Sequence, residues 1–211
     1  MTMTEPAAYG DESIRRAQVA IPMYLIGVCI TKMPEATMRH MLLPMKHEHD
    51  AKLHWSSLRI GEKIRVADTL MELHEMQQTQ FIIACGTPLS PAGRHEEHAR
   101  RKCLECLLPA LEMRYGIRRL ILENRSANQD ERELQFVNQL RRKHWLASTD
   151  FRVGHRRGPE DARLWLADQL LGAYGDYQEM QADPDSANAT QRFHQALERF
   201  MKTIDVLHCA I

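Results

Sequence analysis

The chain lacks any long hydrophobic run. None of its 211 residues fall in a stretch of about 18 apolar positions, which excludes an ordinary membrane-spanning helix. Its first residues show no charged segment followed by an apolar one, so no signal peptide is expected. An excess of charge of one sign is missing too. The 28 Lys and Arg are matched by 28 Asp and Glu, for a net charge of +0, so total charge makes no case for a polyanionic partner. Cysteines number five, an odd count, and two of them lie inside apolar strand-like runs. That argues against a disulfide framework and suits reduced thiols, with a cytoplasmic location expected. No Gly-rich phosphate loop and no G-x-S-x-G motif occur, which argues against nucleotide-dependent kinases and serine hydrolases. No internal repeat is visible.

What is present is the composition of a globular protein, 44% hydrophobic and 27% charged, in a chain long enough to bury a substantial core. Ala7 to Arg16 reads as a first strand. Gln18 to Ile30 reads as its hairpin partner, with Pro22 marking an edge or bulge. Pro34 can open a helix through His40, which Pro44 stops. The short alternating run Lys52-Leu53-His54-Trp55 suggests a third strand. Helical spacing follows from Gly61 to Met76, and Thr79 to Gly86 is the clearest buried strand. Arg94 to Tyr115 carries an apolar stripe through Ala99, Cys103, Cys106, Leu107, Ala110 and Leu111, with Gly116 at a capping position. The C-x-x-C of Cys103 and Cys106 within this helix reads as core thiols rather than zinc ligands. A strand over Ile117 to Leu122 is followed by a helix over Gln129 to Lys143, whose buried side is expected to hold Leu134, Phe136, Val137 and Leu140. A last short strand is expected over Ser148 to Val153. Gly158-Pro159-Glu160-Asp161 opens a helix running to about Tyr177. A polar segment over Gln181 to Thr190 then leads to a final amphipathic helix, Gln191 to Leu207. Strands first, then strands alternating with helices, imply an α/β fold with a mixed sheet flanked by helices. The expected organisation is one domain over residues 1–180, then a linker and a C-terminal helix over 181–211 that packs on the domain or on a second copy.

Three acids stand where apolar elements meet polar ends: Asp11 in Tyr9-Gly10-Asp11-Glu12-Ser13, Glu123 after Leu120-Ile121-Leu122, and Asp168 among Leu164, Leu166, Ala167, Leu170 and Leu171. The first is expected at the end of a central strand, in a cleft at the sheet edge. An acid on a packing helix face needs a partner, because burying an unpaired carboxylate is costly. That partner is either a metal ion or a basic side chain. Glu123 at a strand end points to the cleft where α/β sheets bind ligands, or else is a surface charge paired with Arg125. Basic pairs at Arg15-Arg16, Arg118-Arg119 and Arg156-Arg157, and runs at Arg100-Arg101-Lys102 and Arg141-Arg142-Lys143, can follow a phosphate backbone if several share a face. Otherwise they are solvated surface.

These residues resemble a family. Asp11-Glu12-Ser13 is similar to the Asp-Glu-Ser opening of the ribonuclease H-like domain family filed as domain of unknown function number 3800. Lys52-Leu53-His54-Trp55 resembles its short motif with a central His. Leu122-Glu123-Asn124-Arg125 resembles its strand end with an acid and an Arg, and Leu164 to Ala173 resembles its late helix with an Ala-Asp pair. The four motifs fall in order across residues 7–177. The chain departs from the family at Ile14, where Gly is common, at Lys52, where an acid is frequent, and at Glu123, where Asp is usual. The resemblance implies a ribonuclease H-like fold and a metal-dependent nuclease of RNA or DNA, serving in defence against foreign nucleic acid or as a toxin. Asp11, Glu123 and Asp168 correspond to ligands of Mg²⁺ or Mn²⁺, whose hard character suits carboxylate oxygens. Two such ions can activate a water and stabilise the leaving oxygen. His54 is placed to shuttle a proton or to serve as a structural hydrogen-bonded residue, Arg125 to hold a phosphate through its fork, and Glu12 lies nearby. The alternative is a non-catalytic nucleic-acid or ribonucleoprotein binding module with the same fold.

Overall fold

The computed structural model describes residues 5–90, 95–147, 150–183 and 190–211. Six strands form one mixed sheet: β1 (Ala7–Arg15), β2 (Met23–Thr31), β3 (Thr79–Thr87), β4 (Arg119–Glu123), β5 (Arg152–Arg156) and β6 (Ile204–Ala210). Their order is β5-β4-β1-β2-β3-β6. β1, β2 and β3 are antiparallel neighbours, while β4 runs parallel to β1, β5 parallel to β4 and β6 parallel to β3.

Helices cover both faces, so β2 is buried along its whole length and reads as a continuous apolar run. Its side chains alternate between two cores. Leu25 and Cys29 face α1 (Glu35–Leu42), α2 (Ile60–Glu75), α5 (Arg163–Ala182) and α6 (Gln191–Met201). Tyr24, Ile26, Val28 and Ile30 face α3 (Glu96–Met113) and α4 (Ala127–Arg142). Local sequence sets several helix starts. Ser126 accepts from the Gln129 backbone N–H and Gln129 returns a bond to Ser126, a capping box that fixes the start of α4. Thr190 caps α6 in the same way by accepting from Phe193. No helix among the described residues is long and apolar enough to cross a membrane.

Several expectations from the sequence change. Lys52–Trp55 is not a strand: it is irregular and leads into a short 3-10 turn at Trp55–Ser57, because the edge of β2 it would need is taken by β3. The segment Gln191–Leu207 is not one helix. It breaks after Met201, and Ile204–Ala210 joins the sheet against β3. The apolar face of α6, with Phe193, Ala196, Leu197 and Phe200, is already covered within the chain by α2 and α5. Leu134 of α4 is exposed and Glu133 is buried in its place. The helix expected from Gly158 begins at Arg163, after a 3-10 turn over Gly158–Glu160. Of the strand expected at Ser148–Val153, residues 148–149 lie outside the described residues, and β5 begins at Arg152.

Candidate functional site

Simple periodicity gathers three acids. Tyr9 of β1, Ile121 of β4 and Leu164 of α5 share a small buried apolar cluster. Strand side chains return to the same face every second residue, and helix side chains every fourth. Two residues on from Tyr9 and Ile121 come Asp11 and Glu123, and four on from Leu164 comes Asp168. The apolar trio therefore dictates an acidic trio beside it. Asp11 does not end its strand at a sheet edge. It sits within β1, the third of six strands, where the neighbouring β4 stops at Glu123.

The three carboxylates meet at the ammonium of Lys52. Its Nζ stands 2.5 Å from Glu123, 3.5 Å from Asp168 and 3.8 Å from Asp11. The acids are each about four-fifths buried and the Lys52 side chain is 9% exposed. Burial, together with repulsion from Glu123 and Asp168, outweighs the pull of Lys52 and pushes the Asp11 carboxyl up to about 7. Burial works to lower Lys52, but attraction to Asp11 and the bond to Glu123 prevail and hold it above its usual value. Gly158 is required here. A Cβ at that position would stand 2.5 Å from Glu123 Oε1 and 2.7 Å from Lys52 Cδ, so the bare backbone forms the lid over the pair.

His54 donates from Nδ1 to Asp168 at 3.0 Å, and the Trp55 backbone N–H donates to the other oxygen at 3.2 Å. The bond to Asp168 raises the His54 pKa, although the ring is 40% exposed. Gly172 lets α5 press against the Trp55 ring where any side chain would collide. Trp55 and Lys63 are in turn tied to Asp176. Two cavities border the acids. One of about 190 Å³ is lined by Asp11, Lys52, Glu123, Asn124, Arg125 and Arg100. Another of about 400 Å³ is lined by Asp11, Ser13, Trp55, Lys63, Asp168 and Asp176, among others.

Glu12 and Arg125 belong to a second network. By strand alternation Glu12 faces away from Asp11 toward α3, where the Tyr24 hydroxyl donates to it and Arg100 lies 3.1 Å away. Arg100 also pairs with Glu133, which accepts from His155. The Arg125 guanidinium reaches Glu97 at 3.3 Å and Glu12 at 3.6 Å, and is not paired with Glu123. Several of these contacts are close in distance but poorly angled. Arg100 and Arg125 each keep two buried nitrogens without a hydrogen-bond partner.

Sequence reasoning missed Lys52 as the centre, and Arg100 and Glu133 behind it. The signal for the latter pair was present: Arg100, Cys103, Leu104 and Leu107 share one helical stripe, as do Glu133, Phe136, Val137 and Leu140. A charge on an apolar stripe marks a buried partner, the argument already applied to Asp168.

In donor chemistry the three carboxylates suit a hard divalent cation, and they converge on a single point. That point is held by an ammonium, and among the described residues no group of three or more His, Cys, Asp or Glu is arranged to enclose an ion by itself. As they stand, the carboxylates are engaged by Lys52 and do not by themselves form an ion-binding cage.

No protein-family model matches the chain, and no curated protein does. Among solved structures, a chain of the PCNA:RNase HII complex from Archaeoglobus fulgidus matches with a TM-score of 0.49 and 11% identity, over 94% of this chain and 89% of that one. Overlap of that extent says nothing of residues or chemistry.

Proposed function

We propose that the protein is a metal-dependent nuclease of ribonuclease H-like type that hydrolyses phosphodiester bonds in RNA or DNA. The observation that carries this reading is the convergence of Asp11, Glu123 and Asp168, from β1, β4 and α5, on one buried point between two cavities. When bound, Mg²⁺ or Mn²⁺ supplies an activated water and neutralises the leaving oxygen. Asp11 and Asp168 would hold such a cation. Glu123 orients Lys52, and the fixed bonds to Asp168 from His54 and Trp55 keep that carboxylate aimed. His54, its pKa raised by the bond to Asp168, stands half in solvent, placed to hand a proton to the departing oxygen. Arg125 lines the smaller cavity but is surrounded by Glu97, Glu12 and Glu133, so it shapes the rim rather than serving as a free phosphate ligand.

A groove of about 1070 Å³ supports a nucleic-acid substrate. It runs along β4 and β5 and is lined by Arg118, Arg119, Arg152 and Arg156, against the acids Glu5 and Asp150. Ile121, two positions before Glu123 on the same face of β4, is part of its wall. The lining reaches Arg156, which lies opposite Glu123 in the β4–β5 register, although none of the three acids lines the groove itself.

The second reading, a binding module without catalysis, is favoured by one fact: Lys52 already neutralises part of the acid cluster. A cleavage assay on labelled single- and double-stranded RNA and DNA, with Mg²⁺, Mn²⁺ or EDTA, separates the two. The nuclease reading expects metal-dependent cutting that Asp11→Asn or Asp168→Asn abolishes while binding persists. Binding without cutting under every metal condition overturns it.

A further inference from the structure

We propose that the protein binds a small amphipathic carboxylate, an apolar body with one anionic head, in a cavity at the end of the sheet opposite the acid cluster. The proposal does not rest on the nuclease reading.

The place follows from the sheet. Thr31 ends β2, Thr79 begins β3, and the two are paired. Ile117 lies just ahead of β4, whose far end is Glu123. These residues line a cavity of about 640 Å³, within the roughly 300–1,000 Å³ usual for small-molecule sites.

Three features of the lining define the ligand. The first is an apolar floor. Ile30 and Ile117 are buried, and Met33 and the Tyr115 ring lie half-buried beside them. A chain or ring placed against them leaves water. The second is a polar group with nothing to bond. Thr79 is 1% exposed, and its hydroxyl is buried with no hydrogen-bond partner among the described residues. Its neighbour Thr31 is satisfied: that hydroxyl donates to the Gln78 carbonyl at 2.9 Å and accepts from the Met33 N–H at 3.1 Å. A buried hydroxyl without a partner is costly, and a ligand oxygen seated against Thr79 supplies one. The third is charge. Lys32 is the one charged side chain among the described lining residues, and it makes no ion pair with any of the described residues. Asp205, which accepts the Tyr115 hydroxyl, is paired with Arg114 and does not line the cavity. An exposed ammonium at the rim of an apolar floor, beside the neutral side chains of Gln78 and Gln80, suits a single negative head. A polyanion finds no second cation there, and a cationic ligand finds no acid.

The test is isothermal titration calorimetry of the full chain with probes that share an eight-carbon tail and differ in the head: octanoate, 1-octanol and octyltrimethylammonium. Octanoate is expected to bind at one per chain, about tenfold or more tighter than octanol, the factor one hydrogen bond to a charged group supplies. The ammonium compound is expected not to bind. Lys32→Gln should bring octanoate down to the affinity of octanol and leave octanol unchanged. Thr37→Trp and Gln80→Trp, at exposed lining positions on α1 and β3, should each fill the cavity and abolish binding of both. Circular dichroism establishes that each variant is folded, and either of the last two suffices. Equal affinity for the three heads, or octanoate binding that Lys32→Gln leaves intact, overturns the ligand class. Octanoate binding that persists in a folded Thr37→Trp or Gln80→Trp protein overturns the site, as does no octanoate binding by the wild type. No nucleic acid is present in these titrations, so this proposal and the nuclease reading fail separately.

Discussion

Arg100 and Glu133 form an ion pair from which water is excluded, their side chains being 3% and 2% exposed. It joins α3 to α4 directly behind the acid cluster. His155 of β5 bonds to the same Glu133, and Glu12 of β1 lies against Arg100. Removing Arg100 leaves the buried Glu133 with only His155 and the more distant Arg125 to offset it, so the loss is at most the about 3–5 kcal/mol of a fully uncompensated buried charge. Arg100→Met is therefore expected to lower unfolding free energy by up to that amount in urea denaturation. Adding Glu133→Gln, which removes the stranded charge and keeps a partner for His155, is expected to restore a large part of the loss. If the double variant is as unstable as the sum of two independent losses, the pair is not coupled as described.

Gly158→Ala is expected to disturb the cluster from its lid. The added methyl stands 2.5 Å from Glu123 Oε1 and 2.7 Å from Lys52 Cδ, so the carboxylate or the lysine stem must shift. Overpacking of this kind costs about 1–3 kcal/mol. Gly154→Ala is the control, since a Cβ there meets nothing within 4 Å. Thermal melts of the two proteins should differ clearly, and equal melting temperatures would remove the close approach as an explanation for the glycine.

Asp161 gives the pH dependence. It is fully buried between Arg163 and Arg156, at 2.7 and 3.0 Å. Burial acts to raise its carboxyl, yet the bonds from Arg163 more than offset this and hold it below the usual value. A depressed folded pKa means that the stabilisation is complete above the unfolded value of about 3.9 and is lost as pH falls through the folded one. Asp161→Asn should thus be less stable than wild type at neutral pH, with the gap closing below about pH 4. A gap that is constant from pH 7 to pH 3 in denaturant titrations contradicts this.

The arginine groove should announce itself through salt. Replacing Arg119 and Arg152 with Glu is expected to weaken binding of a labelled oligonucleotide and to flatten the dependence of log affinity on log salt. The slope falls by about 0.7–0.9 per phosphate contact removed. Unchanged slope and affinity would place the nucleic acid elsewhere.

The sequence made the carboxylates legible because each follows an apolar residue by its own element's period. Leu164 announces the face of Asp168, and Ile121 that of Glu123. The hairpin of β1 and β2, the buried β3 and the stripe of α3 were readable for the same reason: their patterns depend on neighbours close in sequence or on burial alone. What stayed hidden depended on distant partners. Ile204–Ala210 continues the apolar spacing of α6, and only the free edge of β3, over a hundred residues earlier, turns it into a strand. Leu53 and Trp55 alternate with polar residues as a strand would, and both are buried, but no sheet edge remains to receive them. Arg125 reads as a free phosphate ligand until Glu97 and Glu12, from other elements, are seen to surround it. Lys52, which departs from the resembled pattern, turned out to be the centre of the cluster.

The acids that meet at Lys52 are drawn from positions 11, 123 and 168 of 211. In synthesis Asp168 follows Asp11 and Glu123, since the chain is made in that order. Until α5 has emerged and docked, the growing polypeptide has two of the three acids and no closed cluster around Lys52.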